Sequence, residues 1–231
     1  MKRFWTHATP LEDSGLYTVR LDQRVVKMPS GAALAVPHQA LAEAIAQEWN
    51  AAAAEFSPND LPLTQLACTA HERIPPHRDS IITQLAAYGL NDLLCYRAEG
   101  PAALIARQHA EWDPWLRWLD TTQGIGLITT CGLMPVNQLP WTASKLEALL
   151  STRTAYELTA LGVIIPALGS FVLGLAAAEE ALDAQTACAT AALDEMWQAE
   201  QWGKDETDTA KRAATLADVA AAVRFINLTR A

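Results

Sequence analysis

The feature that most constrains the fold is a long uncharged segment, residues 158–178. About 20 apolar residues are enough for a helix to cross a bilayer, so a segment of this kind must be buried either in lipid or in protein. Residues that interrupt a straight helix recur within it: Gly162, Pro166, Gly169, Ser170 and Gly174. We therefore expect a buried pair of core helices or one kinked central helix, and not a membrane span.

The composition indicates a globular protein with a large apolar core. Hydrophobic residues make up 51% of the 231 residues and charged residues 19%, below the usual value of about 25%. The net charge of −9 argues against a nucleic-acid partner. Residues 179–208 hold nine acids against one lysine, which leaves −8. This acidic stretch is either a solvated helix face or a surface that attracts a basic patch on a protein partner.

The cysteine pattern indicates reduced thiols and no metal or cofactor. The four cysteines lie far apart, each in an apolar context, at Cys68, Cys95, Cys131 and Cys188. No pair has metal-ligand spacing, so we expect buried thiols in a reducing compartment. The first residues run directly into polar sequence without the apolar core of a secretory signal, and we expect no signal peptide.

Strand signals are confined to the N-terminal part of the chain. Residues 16–21 alternate and are rich in strand formers, Asp22 and Gln23 follow as a turn, and residues 24–28 return as a second strand. Because a tight type I′ turn favours glycine at the position of Gln23, a longer turn type stays open. Residues 33–36 are expected to form a short third strand.

From residue 37 onward the periodicity is helical. Turn-forming residues cluster at 56–62, which makes this segment the best candidate for a domain boundary. The sequence predicts an α+β fold, with a β-rich lobe and one helix over residues 1–57 and a helical domain over residues 58–231. We predict helices over residues 37–54, 63–73, 79–94, 101–120, 142–150, 181–202 and 205–228.

The helix predicted over residues 181–202 carries the candidate binding residues, and Gly203 stands at its expected end. At about 100° per residue, Glu195, Gln198 and Trp202 share one face. Tryptophan is enriched at binding hot spots, so this face is typical of a binding surface. The alternative is that Glu195 is a solvated charge and Trp202 packs under a neighbouring loop. The opposite, apolar face holds Ala189, Leu193, Met196 and Trp197.

Common catalytic motifs are absent from the sequence, which has neither a Walker-type phosphate loop nor a Gly-x-Ser-x-Gly elbow. His71 lacks the second histidine of a zinc-protease helix, and residues 124–126 (Gly-Ile-Gly) lack the third glycine of a dinucleotide loop. We expect a binding protein that is not an enzyme. The alternatives are a small-molecule enzyme that uses the acidic C-terminal helical face or His71 and His77, and a peripheral membrane protein that uses residues 158–178.

Six short motifs lie in order along nearly the whole chain. They are the hairpin pattern Leu-Asp-x-Arg-x-x-Lys-x-Pro within residues 17–29, residues 62–67, 92–98, the Gln-x-x-x-Trp-Asp-Pro pattern of 108–114, 168–170 and 193–203. In this order they resemble the ATP-twelve family, assembly chaperones for the catalytic head of F-type ATP synthase. The chain departs from the family pattern at Gln23, where glycine is usual, and at His71 and Glu72, where an Ile-Asp pair is more usual.

The resemblance implies a chaperone without catalytic activity. Such a protein binds the unassembled α subunit of F-type ATP synthase and prevents its aggregation until β subunits are available. An acidic residue near the C-terminus is implicated in family function, and the matching position here is Glu195. A family member without a presequence is expected in the bacterial cytoplasm; the mitochondrial matrix is the alternative if a presequence has been removed. We expect a monomer that is not embedded in the membrane.

Overall fold

The structure, a computed structural model, describes residues 1–132, 134–203 and 206–230. It confirms the predicted α+β class, with a small N-terminal sheet and a larger helical part. The chain divides into two compact units: Met1–Arg78 with Ala155–Ala160 and Ala221–Ala231, and Asp79–Thr154 with Leu161–Ala220. The boundary expected after residue 57 falls inside the first unit, and the division into domains 1–57 and 58–231 stays a prediction.

The first unit contains a four-stranded antiparallel sheet of β1 (Ala8–Asp13), β2 (Leu16–Leu21), β3 (Arg24–Val25) and β4 (Ala35–Val36). Strand β2 pairs with β1 along one edge and with β3 and β4 along the other. The predicted hairpin is confirmed, and its turn consists of Asp22 and Gln23 alone, because Leu21 pairs with Arg24. Asp22 takes the left-handed conformation, with φ of 52°. Glycine is therefore not required at Gln23.

Strand β1 was not among the predicted strands, and its position explains why. It is an edge strand with five of six residues exposed, so its sequence lacks an alternation of apolar and polar residues. Asn50 occupies its start: Ala8 N donates to Asn50 Oδ1 at 2.7 Å, and Asn50 Nδ2 donates to Ala8 O at 2.8 Å. Pro10 removes one donor from the strand. Both features discourage another chain from pairing with this edge.

The helices largely follow the predicted order, with one earlier start. Pro75 and Pro76 lie in the first turn of α3, where backbone N–H groups have no acceptor within the helix, so proline loses no hydrogen bond there. The helix therefore includes these prolines and begins at Ile74, before the predicted start at residue 79. In the second unit, β5 (Tyr96–Arg97) pairs in parallel with β6 (Thr130–Cys131). The helices are α1 (Gln39–Ala51), α2 (Pro62–Glu72), α3 (Ile74–Leu90), α4 (Ala102–Gln123), α5 (Thr142–Ser151), α6 (Ala155–Leu168), α7 (Phe171–Ala178), α8 (Ala184–Ala191), α9 (Leu193–Trp202) and α10 (Glu206–Asn227).

The long uncharged segment forms α6 and α7, which confirms the expected pair of core helices. Gly169, with φ of 62°, follows the last residue of α6. Ser170 then caps α7, because its Oγ accepts a hydrogen bond from Leu173 N at 3.1 Å. Every residue of α7 is buried. Among the described residues, no helix has both the length and the apolar character needed to cross a membrane.

A buried carboxylate, Asp92, fixes the start of α7. Its Oδ1 accepts from Ser170 Oγ at 2.8 Å and from Leu94 N at 3.0 Å, and its Oδ2 accepts from Val172 N at 3.0 Å. Burial raises the pKa of Asp92 to about 6, although these donors act in the opposite direction. The folded protein therefore holds a proton on Asp92 more tightly than the unfolded chain does.

This carboxylate gives stability a specific pH dependence. The pKa of Asp92 rises from 3.8 to about 6 on folding, so its contribution is complete below the lower value and is lost as pH rises through the upper one. Relative to Asp92→Asn, the parent should lose about 2 to 3 kcal/mol of unfolding free energy between about pH 4 and about pH 7. Urea unfolding of both proteins across this range measures the difference.

Asp183 supplies the control for the pH experiment. Hydrogen bonds from the Thr186 side chain and backbone lower the pKa of this exposed carboxyl. Because the folded pKa is depressed here, the parent compared with Asp183→Asn should lose stability as pH falls. The difference in unfolding free energy between the parent and Asp92→Asn should therefore change with pH, and in the direction opposite to the difference for Asp183→Asn. A difference that is independent of pH, or one that changes in the same direction as that for Asp183→Asn, would contradict the burial of Asp92.

Close packing of α7 against α6 gives a second prediction about stability. A Cβ added at Gly174 would lie 2.5 Å from Ile165 Cγ1 and 3.1 Å from Ile165 Cα, whereas one added at Gly162 meets nothing within 4 Å. Gly174→Ala should lower the unfolding free energy by about 1–3 kcal/mol through overpacking. Gly162→Ala should raise it by about 0.5–1 kcal/mol through helix propensity. Denaturant unfolding measures both, and equal effects would contradict this packing.

Candidate partner-binding surface

The three residues predicted to bind a partner are all exposed on α9. Glu195, Gln198 and Trp202 are solvent-accessible, and the Trp202 side chain is 81% exposed. Trp202 is therefore not packed under any loop that the structure describes. None of the three side chains forms a hydrogen bond or ion pair with another described residue. An acid, an amide and an indole thus lie together on one exposed face, without side-chain partners in the part of the chain that the structure describes.

The helix predicted over residues 181–202 is in fact two helices, and the prediction of one continuous helix is wrong. Helices α8 and α9 are separated at Ala192, whose φ of −85° and ψ of 14° interrupt the helical path. Residues on the two sides of this break therefore do not share one helical periodicity. Ala189 is consequently exposed rather than inward-facing, whereas Leu193 is buried as expected.

Contacts with α4 hold α9 in place. Gln108 Nε2 donates to Asp194 Oδ1 at 2.8 Å, and Arg107 Nη1 donates to both carboxylate oxygens of Glu200 at 2.9 and 3.0 Å. The Glu200 side chain is 49% exposed, so its ion pair contributes little stability. Two acids of the acidic stretch are thus engaged with α4, while Glu195 is left available on the other face.

Residues from two of the sequence motifs form a hydrogen-bond network that reaches α9. The buried Arg97 donates to Gln108 O at 3.1 Å and to Asp113 Oδ1 at 2.7 Å, and its guanidinium stands 5.3 Å from the ring centroid of Trp112. Gln108 in turn reaches Asp194 of α9. Trp112 is fully buried. Arg97 and Gln108, from the motifs at residues 92–98 and 108–114, therefore help to position α9.

Glu195 also lines a cavity of about 330 Å³, which we call the α9–α10 groove. Residues 166–168 at the end of α6, together with Leu93, supply apolar lining. Lys211 and Arg212 of α10 complete the wall with positive charge. Sequence reasoning missed both cations, because periodicity within α10 does not show which helix lies beside it.

The two histidines considered for catalysis have different surroundings. His71 Nε2 lies 2.9 Å from the hydroxyl of Tyr156, and His77 is exposed. Burial lowers the pKa of His71 and raises that of Tyr156 to about 12, so both groups stay neutral near pH 7. In the part of the chain that the structure describes, no cluster of three or more His, Cys, Asp or Glu side chains is arranged to hold a metal ion.

Similarity to known proteins assigns the family. A family model described as ATP12 chaperone protein matches residues 2–120, slightly more than half of the chain. The chain belongs to the ATP12 chaperone family. The crystal structure of Atp12 from Paracoccus denitrificans matches this family member with a TM-score of 0.94 and 40% identity, covering 99% of this chain and 98% of that one.

Two further proteins are similar to this ATP12 family member. The Atu1473 protein from Agrobacterium tumefaciens matches with a TM-score of 0.94 and 34% identity, over 99% of this chain and 86% of that one. Protein atp12, mitochondrial, of Schizosaccharomyces pombe is 25% identical over 217 residues, which is 89% of this chain and 75% of that protein. The predicted family is confirmed, whereas the binding role of Glu195, Gln198 and Trp202 stays a prediction.

Proposed function

We propose that this ATP12 family member is an assembly chaperone that binds the unassembled α subunit of F-type ATP synthase and promotes assembly of the catalytic head. The observation that carries the proposal is the exposed face of α9, in a member of a chaperone family. It binds as a monomer, without catalytic activity. It acts in the bacterial cytoplasm, or in the mitochondrial matrix if a presequence has been removed from the chain.

The physical demands on such a chaperone fit this face. An α subunit alone exposes the apolar surface meant for β, and exposed apolar surface leads to aggregation. The chaperone must cover this surface and later yield to β, which calls for a moderate interface with a few anchors and a polar rim. Trp202 is suited to be an anchor, and Glu195 and Gln198 supply polar contacts beside it that are solvated before binding.

Refolding of the isolated α subunit tests the proposal. We would dilute denatured α into buffer with an equimolar amount of the chaperone and follow light scattering. The chaperone should keep α in solution and release it when β is added, and it should leave refolding of isolated β unchanged. Aggregation of α at the same rate with and without the chaperone would contradict the proposal.

A further inference from the structure

We propose that the α9–α10 groove binds an apolar segment of the partner that carries one basic and one acidic residue. Glu195 would receive the basic residue, and Lys211 and Arg212 would receive the acidic one. The inference rests on the proposed function, since it takes the α subunit as the partner. It adds where on this protein the α subunit binds, which side chains make the contact, and which wall of the groove receives each charge of the partner.

The floor of the groove is suited to apolar side chains. Pro166 and Ala167, in the last turn of α6, are exposed, and Leu168 follows them at the end of the helix. The cavity of about 330 Å³ stands at the small end of the range of about 300–1,000 Å³ that is usual for binding sites. This space accommodates a few side chains of a peptide segment and is too small for a folded domain.

Charges of both signs line the groove without neutralising each other. Glu195 belongs to α9, and Lys211 and Arg212 belong to α10. Over the described ranges, none of the three takes part in an ion pair; Arg212 Nη2 instead donates to the Thr209 hydroxyl at 3.3 Å. The planar guanidinium of Arg212 suits a carboxylate, which it can bind through two parallel hydrogen bonds.

This arrangement selects an occupant that carries both charges. A free anion would be attracted by Lys211 and Arg212 but repelled by Glu195. A free cation would be attracted by Glu195 but repelled by Lys211 and Arg212. A peptide segment with opposite charges on either side of apolar residues satisfies both walls. Electrostatic complementarity of this kind fixes the register and excludes wrong partners. The net charge of −9 further disfavours a polyanionic occupant.

Three variants and an α-binding titration test the inference. Lys211→Glu reverses an exposed charge on one wall, and Ala167→Trp fills the floor. Lys2→Glu makes the same charge change at an exposed residue near the N-terminus, outside the groove and outside the six sequence motifs. We expect each groove variant to raise the Kd for the isolated α subunit by about tenfold or more and the control to change it by less than about twofold. Thermal melting of each variant alone monitors folding.

The outcomes separate this inference from the proposed function. If the parent fails to bind α, the proposed function itself fails. If the parent binds α and both groove variants bind equally well, the groove is not the contact and the inference is overturned. If only Ala167→Trp weakens binding of α, the groove takes an apolar segment whose charges do not matter. The proposal of a charged occupant is then overturned. If Ala167→Trp melts early, the comparison of Lys211→Glu with Lys2→Glu decides alone.

Discussion

Replacing Leu168 by aspartate is expected to lower the free energy of unfolding by about 3–5 kcal/mol, because it places an unpaired charge among apolar side chains. Leu168 is 3% exposed, at the end of α6, immediately before Gly169 and the fully buried α7. Residues 158–178 contain no base that could pair with the carboxylate. Lys211 and Arg212 line the same groove as Leu168, and an ion pair with either of them would place the loss at the lower end of this range. Urea unfolding followed by circular dichroism measures the loss.

Ala167→Asp is the matched control for this substitution. Ala167 precedes Leu168 in the same helix and is exposed, so an aspartate there stays solvated. Its cost should be at most about 1 kcal/mol, from an acid near a helix C-terminus. Equal unfolding free energies for Leu168→Asp and Ala167→Asp would show that α6 does not end in the protein core.

Replacing Glu195 by lysine is expected to weaken capture of the α subunit by about 30-fold or more while leaving the chaperone folded. The substitution turns an attraction toward a basic group into a repulsion, and it adds a third cation to the groove that Lys211 and Arg212 already line. Glu195 is exposed and has no partner among the described residues. Because the first turn of α9 favours a carboxylate, we expect a stability loss of no more than about 1 kcal/mol.

Asp208→Lys controls for the change in net charge. Asp208 is exposed, belongs to the same acidic stretch and does not line the groove. Both variants change the charge by two, so a general field effect would weaken them alike. A loss confined to Glu195→Lys supports a direct contact, and equal losses would assign the effect to the acidic stretch as a whole. Early melting of Glu195→Lys would make Glu195 a structural residue.

The sequence predicted the elements whose signals are local. The hairpin of β2 and β3 alternates within one segment, and the pair α6 and α7 is separated by Gly169 and Ser170, a common helix stop followed by a common N-cap residue. Strand β1 escaped prediction because an edge strand need not alternate. The break at Ala192 escaped it because alanine is a strong helix former and gives no stop signal.

The part of the candidate site that lies within α9 was predictable, because its sequence signals are also local. Glu195, Gln198 and Trp202 lie within α9 alone, so helical spacing placed them on one exposed face correctly. Lys211 and Arg212 join the site through the packing of α10 beside α9, which no periodicity within one helix reveals. An exposed face on one helix is thus predictable from sequence, whereas a groove between helices requires the tertiary structure.

Light scattering of refolding α subunit, with equimolar parent or Glu195→Lys, is the decisive measurement of whether α9 binds α. We expect the parent to keep α in solution and Asp208→Lys to do the same, whereas Glu195→Lys should melt close to the parent yet let α aggregate. Aggregation of α in the presence of the folded parent, as fast as in its absence, would show that this protein does not protect α.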